Sequence, residues 1–190
     1  MKGWVVWFTG LPGSGKTVRA RELLKKLNEK NIETEYLRMD EIRDILTPKK
    51  KYTEEERDFA YRALVLISKF LANHGINVIL DATGHKRIWR KLARNIIPRF
   101  VEVYVKCPLE LCMKRESARE DNLVVREMYK KALERIKDGK EIDGLGEVIG
   151  VDVEYEEPKK PDLIMESDKL SPEESSKKIF DFLKSKGWLQ

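Results

Sequence analysis

The chain has 190 residues, of which 41% are hydrophobic and 37% charged, and 38 Lys and Arg against 33 Asp and Glu give a net charge of +5. This length is typical of one domain that buries its core unaided, and the composition excludes fibrous, low-complexity and wholly disordered chains. No apolar run approaches the ~20 residues of a membrane helix, and the N-terminal stretch is too short for a signal peptide. We expect a single cytoplasmic domain over residues 1–190, whose mildly basic surface either favours an anionic ligand or is merely solvated.

The first half of the chain alternates strands with helices. A buried strand is predicted over Trp4–Thr9, a helix over Lys16–Lys30 and a second strand over Thr34–Met39. Thr53-Glu54-Glu55-Glu56 has the pattern of a capping box and opens a helix that ends at Gly75. We expect this helix to bury one apolar face, made of Phe59, Ala63, Ile67, Phe70 and Leu71.

The second half continues the alternation. Strands are predicted over Ile76–Leu80, Phe100–Val105 and Leu163–Met165, and helices over Ile88–Ile97 and Leu109–Ser117. Ser171-Pro172-Glu173-Glu174 is a second capping box and starts a final helix. Apolar strands that alternate with helices predict an α/β fold, with a mostly parallel five-stranded sheet between two helical layers.

One long polar segment interrupts this alternation, from Glu116 to Pro161. It begins as a highly charged helical segment and passes into a loop that contains Gly139, Gly144, Gly146 and Gly150. A segment this long and polar inside a compact domain is usually functional or mobile. We interpret residues 116–161 as a lid-like insertion, with an ordinary flexible insertion as the alternative.

A phosphate-binding loop follows the first strand and precedes the first helix. It reads Gly10-Leu11-Pro12-Gly13-Ser14-Gly15-Lys16-Thr17 and matches the pattern G-x-x-x-x-G-K-[ST]. The glycines let backbone N–H groups approach phosphate oxygens, and the positive end of the helix dipole lies behind them. Lys16 would reach the β- and γ-phosphates of ATP and act in catalysis, and the Thr17 hydroxyl would bind Mg²⁺. The pattern therefore predicts a nucleoside-triphosphate-binding fold.

Asp81 ends the third predicted strand, at the edge of the sheet where ligands bind in parallel α/β folds. A carboxylate there can hold the magnesium ion directly or through water. The alternative is an aspartate that caps a helix or a turn.

The residues around the second strand favour a small kinase. The chain has no guanine-reading Asn-Lys-x-Asp segment, and it is short for a motor ATPase. Asp40 ends the second strand, where a carboxylate can accept the proton of an attacking hydroxyl, and Arg43 follows one helical turn later, suited to an anionic acceptor. The alternative is that Asp40 only caps the helix and Arg43 is a surface residue.

Three further arginines are candidate anion ligands. Arg57 lies in the first turn of a helix, where the dipole disfavours a cation, so its partner is either an anion or a neighbouring Glu54 or Asp58. Arg115 and Arg119 are four residues apart on one helix face and can close over the nucleotide phosphates, with a solvated basic face as the alternative.

The sequence from Gly10 to about Leu183 resembles the adenylylsulfate kinases, which transfer the γ-phosphoryl group of ATP to the ribose 3′-hydroxyl of adenylylsulfate. Leu37–Arg43 is similar to the acceptor motif of that family, and Phe100–Val105 to its fourth strand. Gly150-Val151-Asp152 resembles part of its lid. The resemblance implies that Asp40 is the proton-accepting carboxylate and that Arg43 and Arg57 bind the acceptor.

The departures from the family pattern lie on the acceptor side. Arg38 stands in place of an aspartate, Ala60 in place of an asparagine, and Val148 in place of a lid phenylalanine that covers the acceptor's adenine. Ala82-Thr83-Gly84-His85-Lys86 replaces a Ser-Pro stretch, and the roles of His85 and Lys86 are left open.

We therefore expect an ATP- and Mg²⁺-dependent kinase whose partner is a small anionic or nucleotide-like alcohol, adenylylsulfate first. The alternatives are a kinase of another alcohol or of a nucleic-acid end, and a nucleotide-binding regulatory module without transfer. Nucleic acid and membranes are not expected partners, and a homodimer is left open.

Overall fold

A five-stranded parallel sheet organises the chain. The computed structural model describes residues 2–49, 51–118, 127–139, 142 and 145–189. The strands are β1 (Val5–Thr9), β2 (Thr34–Arg38), β3 (Asn77–Asp81), β4 (Phe100–Lys106) and β5 (Leu163–Glu166). They lie in the order β2-β3-β1-β4-β5, and every neighbouring pair is parallel. The predicted α/β class is confirmed.

Helices cover both faces of this sheet. They are α1 (Lys16–Asn28), α2 (Met39–Leu46), α3 (Glu54–Asn73), α4 (Arg87–Ile96), α5 (Leu109–Ser117), α6 (Met128–Asp138) and α7 (Pro172–Ser185). In the part of the chain that the structure describes, no helix has the length and apolar character needed to cross a bilayer.

Alternate side chains of β1 enter two separate cores. Val5 and Trp7 pack with the residues of α3 and α4, whereas Val6 and Phe8 pack with those of α1 and α7. All of these β1 side chains are fully buried, because successive side chains of a strand point to opposite faces and both faces carry helices. The architecture therefore has three layers, as predicted.

The predicted inner face of α3 is confirmed at Leu71, which packs partly buried against the core, but is wrong at three other positions. Phe59, Ile67 and Phe70 are exposed, with 57% and 54% of the two phenylalanines accessible to solvent. The buried face is a second stripe with helical spacing, which consists of Arg57, Ala60, Tyr61, Leu64, Val65, Ser68 and Ala72. Its small residues let α3 approach the sheet, and the Tyr61 ring stacks on Trp89 at a centroid distance of 4.2 Å. The helix carries two apolar stripes, and the one with the bulkier side chains lies outside.

The two predicted capping boxes differ. At α7 the box is complete, because Ser171 Oγ accepts from the Glu174 N–H at 3.1 Å and the Glu174 carboxylate accepts from the Ser171 N–H at 2.8 Å. At α3 only half of it forms, with Thr53 Oγ1 accepting from the Glu56 N–H at 3.3 Å.

The Glu56 carboxylate holds the chain ahead of α3 together with α2. It accepts from the backbone N–H groups of Lys51 and Tyr52, at 2.7 and 3.1 Å, and its other oxygen lies 2.6 Å from Arg43 Nη2. Burial by itself would raise the pKa of Glu56, but the bonds from Arg43 and the Lys51 N–H hold it below its ordinary value. This carboxylate therefore positions Arg43.

The difference between the two stripes of α3 can be measured as stability. Phe70→Gln should change the free energy of unfolding by no more than about 0.5 kcal/mol, because the ring is exposed. Leu64→Ala should cost about 2–5 kcal/mol through lost burial and a cavity. Urea denaturation of both variants measures this, and equal losses would contradict the described orientation of α3.

The Glu56 pairing predicts a pH dependence of stability. A carboxylate whose pKa is lowered on folding stabilises the protein above the unfolded pKa, near the ordinary value of 4.5, and loses that contribution as the pH falls through the folded pKa. Glu56→Gln should therefore be less stable than the parent at pH 7, and the difference should shrink below pH 4.5. Glu55→Gln, in the same helix turn, is the matched control, and a pH-independent difference would refute the pairing.

Candidate active site

A cavity of about 360 Å³ opens where β1, β2 and β3 end. Lys16 and Thr17 line it from the start of α1, Asp40 and Arg43 from α2, and Asp81 from the end of β3. Because the strands are parallel, their carboxyl ends meet at one edge of the sheet, which is the usual ligand edge of such folds. The cavity brings together residues from distant parts of the sequence, from Pro12 to Ile149.

The phosphate loop wraps the start of α1 in a conformation that requires glycine. Gly13 has a φ of +78°, and a Cβ atom there would lie 2.3 Å from the carbonyl oxygen of Cys112. Gly15, at a φ of +90°, precedes the helix without a side-chain cap, and the first turn holds no acidic residue. The first N–H groups of α1 are thus left for an anion.

Lys16 bridges the loop. Its Nζ donates to the carbonyl oxygens of Gly10 and Leu11, at 3.0 and 2.9 Å, and the side chain is almost fully buried. Tyr129 donates from its hydroxyl to the carbonyl of Pro12 at 2.9 Å, which ties α6 to the same loop. These two bonds to carbonyl oxygens hold the ammonium group at the loop, where it can exchange them for phosphate oxygens.

Two oxygen ligands for a hard cation line the cavity, the Thr17 hydroxyl and the Asp81 carboxylate. Asp81 is the last residue of β3 and accepts from the Tyr36 hydroxyl at 2.8 Å; it is not the cap of a helix. Among the described residues no cluster of three or more His, Cys, Asp and Glu could hold a metal. Magnesium needs no such cage, because it binds through one or two protein oxygens together with substrate phosphates and water. The donor set therefore fits Mg²⁺.

Arg115 lies beside the phosphate loop, whereas Arg119 falls outside the described residues. Arg115 lines the cavity and donates to the Oγ and the carbonyl oxygen of Ser167, both at 2.9 Å. Arg19, which sequence reasoning missed, is buried behind the loop and donates to the Gly15 carbonyl at 3.3 Å. Burial and the charge of Arg115 lower the pKa of Arg19. Two neighbouring guanidinium groups make this end of the cavity electropositive.

Asp40 and Arg43 both face the cavity from α2. Helix α2 begins at Met39 with Arg38 as its N-cap residue, so Asp40 lies in the first turn and is not the cap. Its side chain is 35% exposed, and its Oδ2 lies 3.5 Å from Arg38 Nη2. Arg43 is buried and paired with Glu56. Neither alternative for these two residues, a capping aspartate or a surface arginine, matches the structure.

Arg57 is held by backbone carbonyls from two distant parts of the chain. It is 3% exposed, and it donates to the carbonyl oxygens of Tyr52 at 2.9 Å and Glu147 at 2.6 Å. Its third nitrogen, Nη1, is buried without a hydrogen-bond partner among the described residues. The predicted local partners are engaged elsewhere, Glu54 with Lys86 and Asp58 with Arg62. Of the two alternatives for Arg57, the geometry therefore favours an anion as its partner.

Tyr52 is a site residue that sequence reasoning missed. Its ring lies 4.4 Å from the Arg43 guanidinium carbon and 5.9 Å from that of Arg57, so it spaces two like charges through cation–π contacts. Only a weak signal was present in the sequence: Tyr52 directly precedes the N-cap Thr53, a position from which a hydrophobic residue often packs on the start of a helix.

Part of the predicted insertion covers the cavity. Val148 is buried, lines the cavity, and packs with Tyr129, Leu145 and the phosphate-loop residue Leu11 in one apolar cluster. Asp152 fixes this segment, because its carboxylate accepts from the Val148 N–H at 2.6 Å and from Arg135. The wall that Val148 forms is thus anchored to both α6 and the phosphate loop.

Comparison with known proteins identifies relatives of the whole chain. The adenylylsulphate kinase family matches residues 2–166. An adenylyl-sulfate kinase of Halothermothrix orenii is 37% identical over 99% of this chain and 93% of its own length, and a probable adenylyl-sulfate kinase of Archaeoglobus fulgidus is 39% identical over 87% and 97%.

Comparison with solved structures gives relatives of the same kind. An APS kinase of Mycobacterium tuberculosis, in complex with AMPPNP and APS, superposes with a TM-score of 0.78 and 29% identity over 96% of this chain and 98% of that one. A shikimate kinase of Acinetobacter baumannii, at 16% identity over 97% of this chain and 94% of that one and with a TM-score of 0.58, shares the fold alone. The phosphate loop, the sheet edge and the extent of the match lead to one conclusion: the chain belongs to the adenylylsulphate kinase family.

Proposed function

We propose that this chain transfers the γ-phosphoryl group of ATP to the 3′-hydroxyl of adenylylsulfate and so forms 3′-phosphoadenylylsulfate. The observation that carries the proposal is one cavity that holds the phosphate-loop lysine, Lys16, and a carboxylate, Asp40, from the first turn of α2. The family supplies the identity of the acceptor, and the geometry supplies the roles below.

The phosphate loop, residues 10–17, binds the triphosphate. The N–H groups at the start of α1 and Lys16 Nζ take the β- and γ-phosphate oxygens, and Arg115 adds positive charge where the transferring group becomes negative. Arg119 is proposed for the same role on the basis of its spacing from Arg115. Because Arg115 is anchored on Ser167, its charge is positioned before the nucleotide binds.

Thr17 and Asp81 would hold Mg²⁺ with the nucleotide. When bound, the ion supplies charge neutralisation at the β- and γ-phosphates. The Tyr36 hydroxyl keeps the Asp81 carboxylate oriented toward the cavity edge.

Asp40 receives the proton of the acceptor hydroxyl. As the hydroxyl oxygen forms its bond to the γ-phosphorus, the bond from that phosphorus to the β,γ-bridging oxygen breaks and ADP leaves. The proton passes to the Asp40 carboxylate, whose Oδ2 lies 3.5 Å from Arg38 Nη2.

The acceptor lies against Arg43 and Arg57. Both guanidinium groups are buried at the cavity, and both have a nitrogen without a hydrogen-bond partner among the described residues, Arg43 Nε and Arg57 Nη1. Buried donors are nearly always bonded, so these two atoms point to an absent anion. Val148 forms an apolar wall of the same cavity.

Residues 116–161 are proposed as a lid on the one domain formed by residues 1–190. Cys107 and Cys112 are free thiols, as a reducing cytoplasm allows, and we propose that compartment. The assembly stays open between a monomer and a homodimer, which the sedimentation of the purified chain decides.

A screen of acceptors tests the function directly. With γ-labelled ATP and magnesium, label should pass to adenylylsulfate in preference to shikimate, gluconate or a 5′-hydroxyl oligonucleotide. Lys16→Ala should abolish transfer to every acceptor, which shows that the activity belongs to this site. Transfer to another alcohol and none to adenylylsulfate would overturn the proposed substrate.

The role of Asp40 predicts a defect in the chemical step. Asp40→Asn should lower kcat by about 10²–10⁴-fold, because the amide cannot take the proton. The affinity for Mg·ATP should stay unchanged, since the phosphate loop is intact. Asp44→Asn, one helical turn away, is the control. Rapid-quench turnover and calorimetry separate the two quantities, and a kcat near that of the parent would exclude Asp40 as the base.

A further inference from the structure

The loop between β3 and α4 holds His85 at the acceptor side of the cavity. The Gly84 N–H donates to the Tyr61 hydroxyl at 2.9 Å, and the Gly84 carbonyl accepts from Arg90 Nη1. The carbonyl of His85 accepts from the Glu156 N–H at 2.9 Å. The backbone on both sides of the histidine is therefore fixed before any ligand arrives.

The imidazole ring is equally constrained. It meets Trp89 edge-on at a centroid distance of 4.9 Å and Tyr61 at 6.3 Å, and the residue is 2% exposed. It lines the same cavity as Arg43 and Arg57. A ring packed edge-on against the stacked pair of Tyr61 and Trp89 has few rotamers left, so its nitrogens keep a defined direction.

His85 Nδ1 is buried and has no hydrogen-bond partner among the described residues. Burial, with the positive charges of Arg57, Lys86, Arg90 and Arg43, lowers the pKa of His85 to about 3. The ring is therefore neutral at neutral pH. A buried histidine that only fills the core normally bonds both nitrogens, so the unpartnered Nδ1 calls for a ligand atom.

We propose that His85 is a specificity-determining residue of this chain, whose Nδ1–H donates to an anionic oxygen of the phosphoryl acceptor beside Arg43 Nε and Arg57 Nη1. The three atoms come from three elements, the β3–α4 loop, α2 and α3, and all three residues line one cavity. The inference rests on the proposed function for the identity of the acceptor, but the anion subsite itself does not.

The imidazole of His85 adds an uncharged hydrogen-bond donor to the two charged guanidinium groups. A guanidinium attracts anions by its charge as well as by its directed N–H groups, whereas the hydrogen bond of a neutral N–H depends on the position of one oxygen alone. His85 thus discriminates among anionic acceptors of similar charge.

The test compares two variants in which a side-chain amide replaces the imidazole ring, His85→Asn and His85→Gln. The side-chain nitrogen of asparagine can take the place of Nδ1, whereas that of glutamine takes the place of Nε2. His85→Gln should raise the KM for adenylylsulfate by about 10–100-fold, the effect of losing a hydrogen bond to a charged group. His85→Asn should keep most of that affinity. In both variants kcat and the calorimetric affinity for Mg·ATP should stay close to the parent values, a split that a merely structural role would not produce.

His74→Gln, in the only other histidine, is the control and should leave every constant unchanged. Equal KM values for His85→Asn and His85→Gln would overturn the proposal, as would a fall in Mg·ATP affinity or melting temperature that accounts for the loss.

A second measurement separates this proposal from the proposed function. If the parent chain does not phosphorylate adenylylsulfate, the proposed function fails, and the subsite is then tested with inorganic sulfate. With the phosphate loop filled by Mg·AMPPNP, calorimetry should show sulfate binding in the parent and in His85→Asn, and about 10-fold weaker binding in His85→Gln. Equal sulfate affinities in the parent and in His85→Gln, or no sulfate binding in the parent, would refute the proposed anion subsite.

Discussion

The parallel pairing of β1 with both β3 and β4 is the constraint on which the site depends. Phe8 of β1 lies beside Asp81 of β3, and Asp81 in turn lies beside Arg38 of β2. This register brings the phosphate loop, the carboxylate that ends β3 and the start of α2 to one edge of the sheet. A slip of one residue in either pairing would turn the buried β1 side chains to the opposite layer, so the two cores hold the site in place.

The cations of this edge share a mode of attachment. Arg57 and Arg115 both donate to backbone carbonyls. A carbonyl orients a cation without neutralising its charge, whereas a carboxylate would neutralise it. Arg43 differs, because Glu56 balances its charge and Tyr52 covers its face. The site is thus an electropositive cavity built largely from neutral supports, which suits a triphosphate and an anionic acceptor at close quarters.

The sequence was sufficient for features encoded over a few neighbouring residues. The phosphate loop, the five strands and the capping box at Ser171 all follow from local spacing. It was insufficient where two local patterns compete. Helix α3 carries two apolar stripes, and the one that is buried is the one that packs on the sheet and on α4, with Tyr61 stacked on Trp89. The unpartnered atom of His85 depends on loops from distant parts of the chain, and no short window of sequence contains that information.

Arg57 connects helix α3 to the segment around Glu147, and both line the cavity. Arg57 lines the cavity and donates to the Glu147 carbonyl, ninety positions away, while its Nη1 is buried without a hydrogen-bond partner among the described residues. An anion that binds Arg57 also stabilises the contact between Arg57 and the segment that carries Glu147. Conversely, that contact holds the guanidinium in position for the anion. Such coupling is reciprocal and equal in free energy in both directions. Through Arg57, the occupancy of the cavity and the position of the segment that carries Glu147 therefore depend on each other.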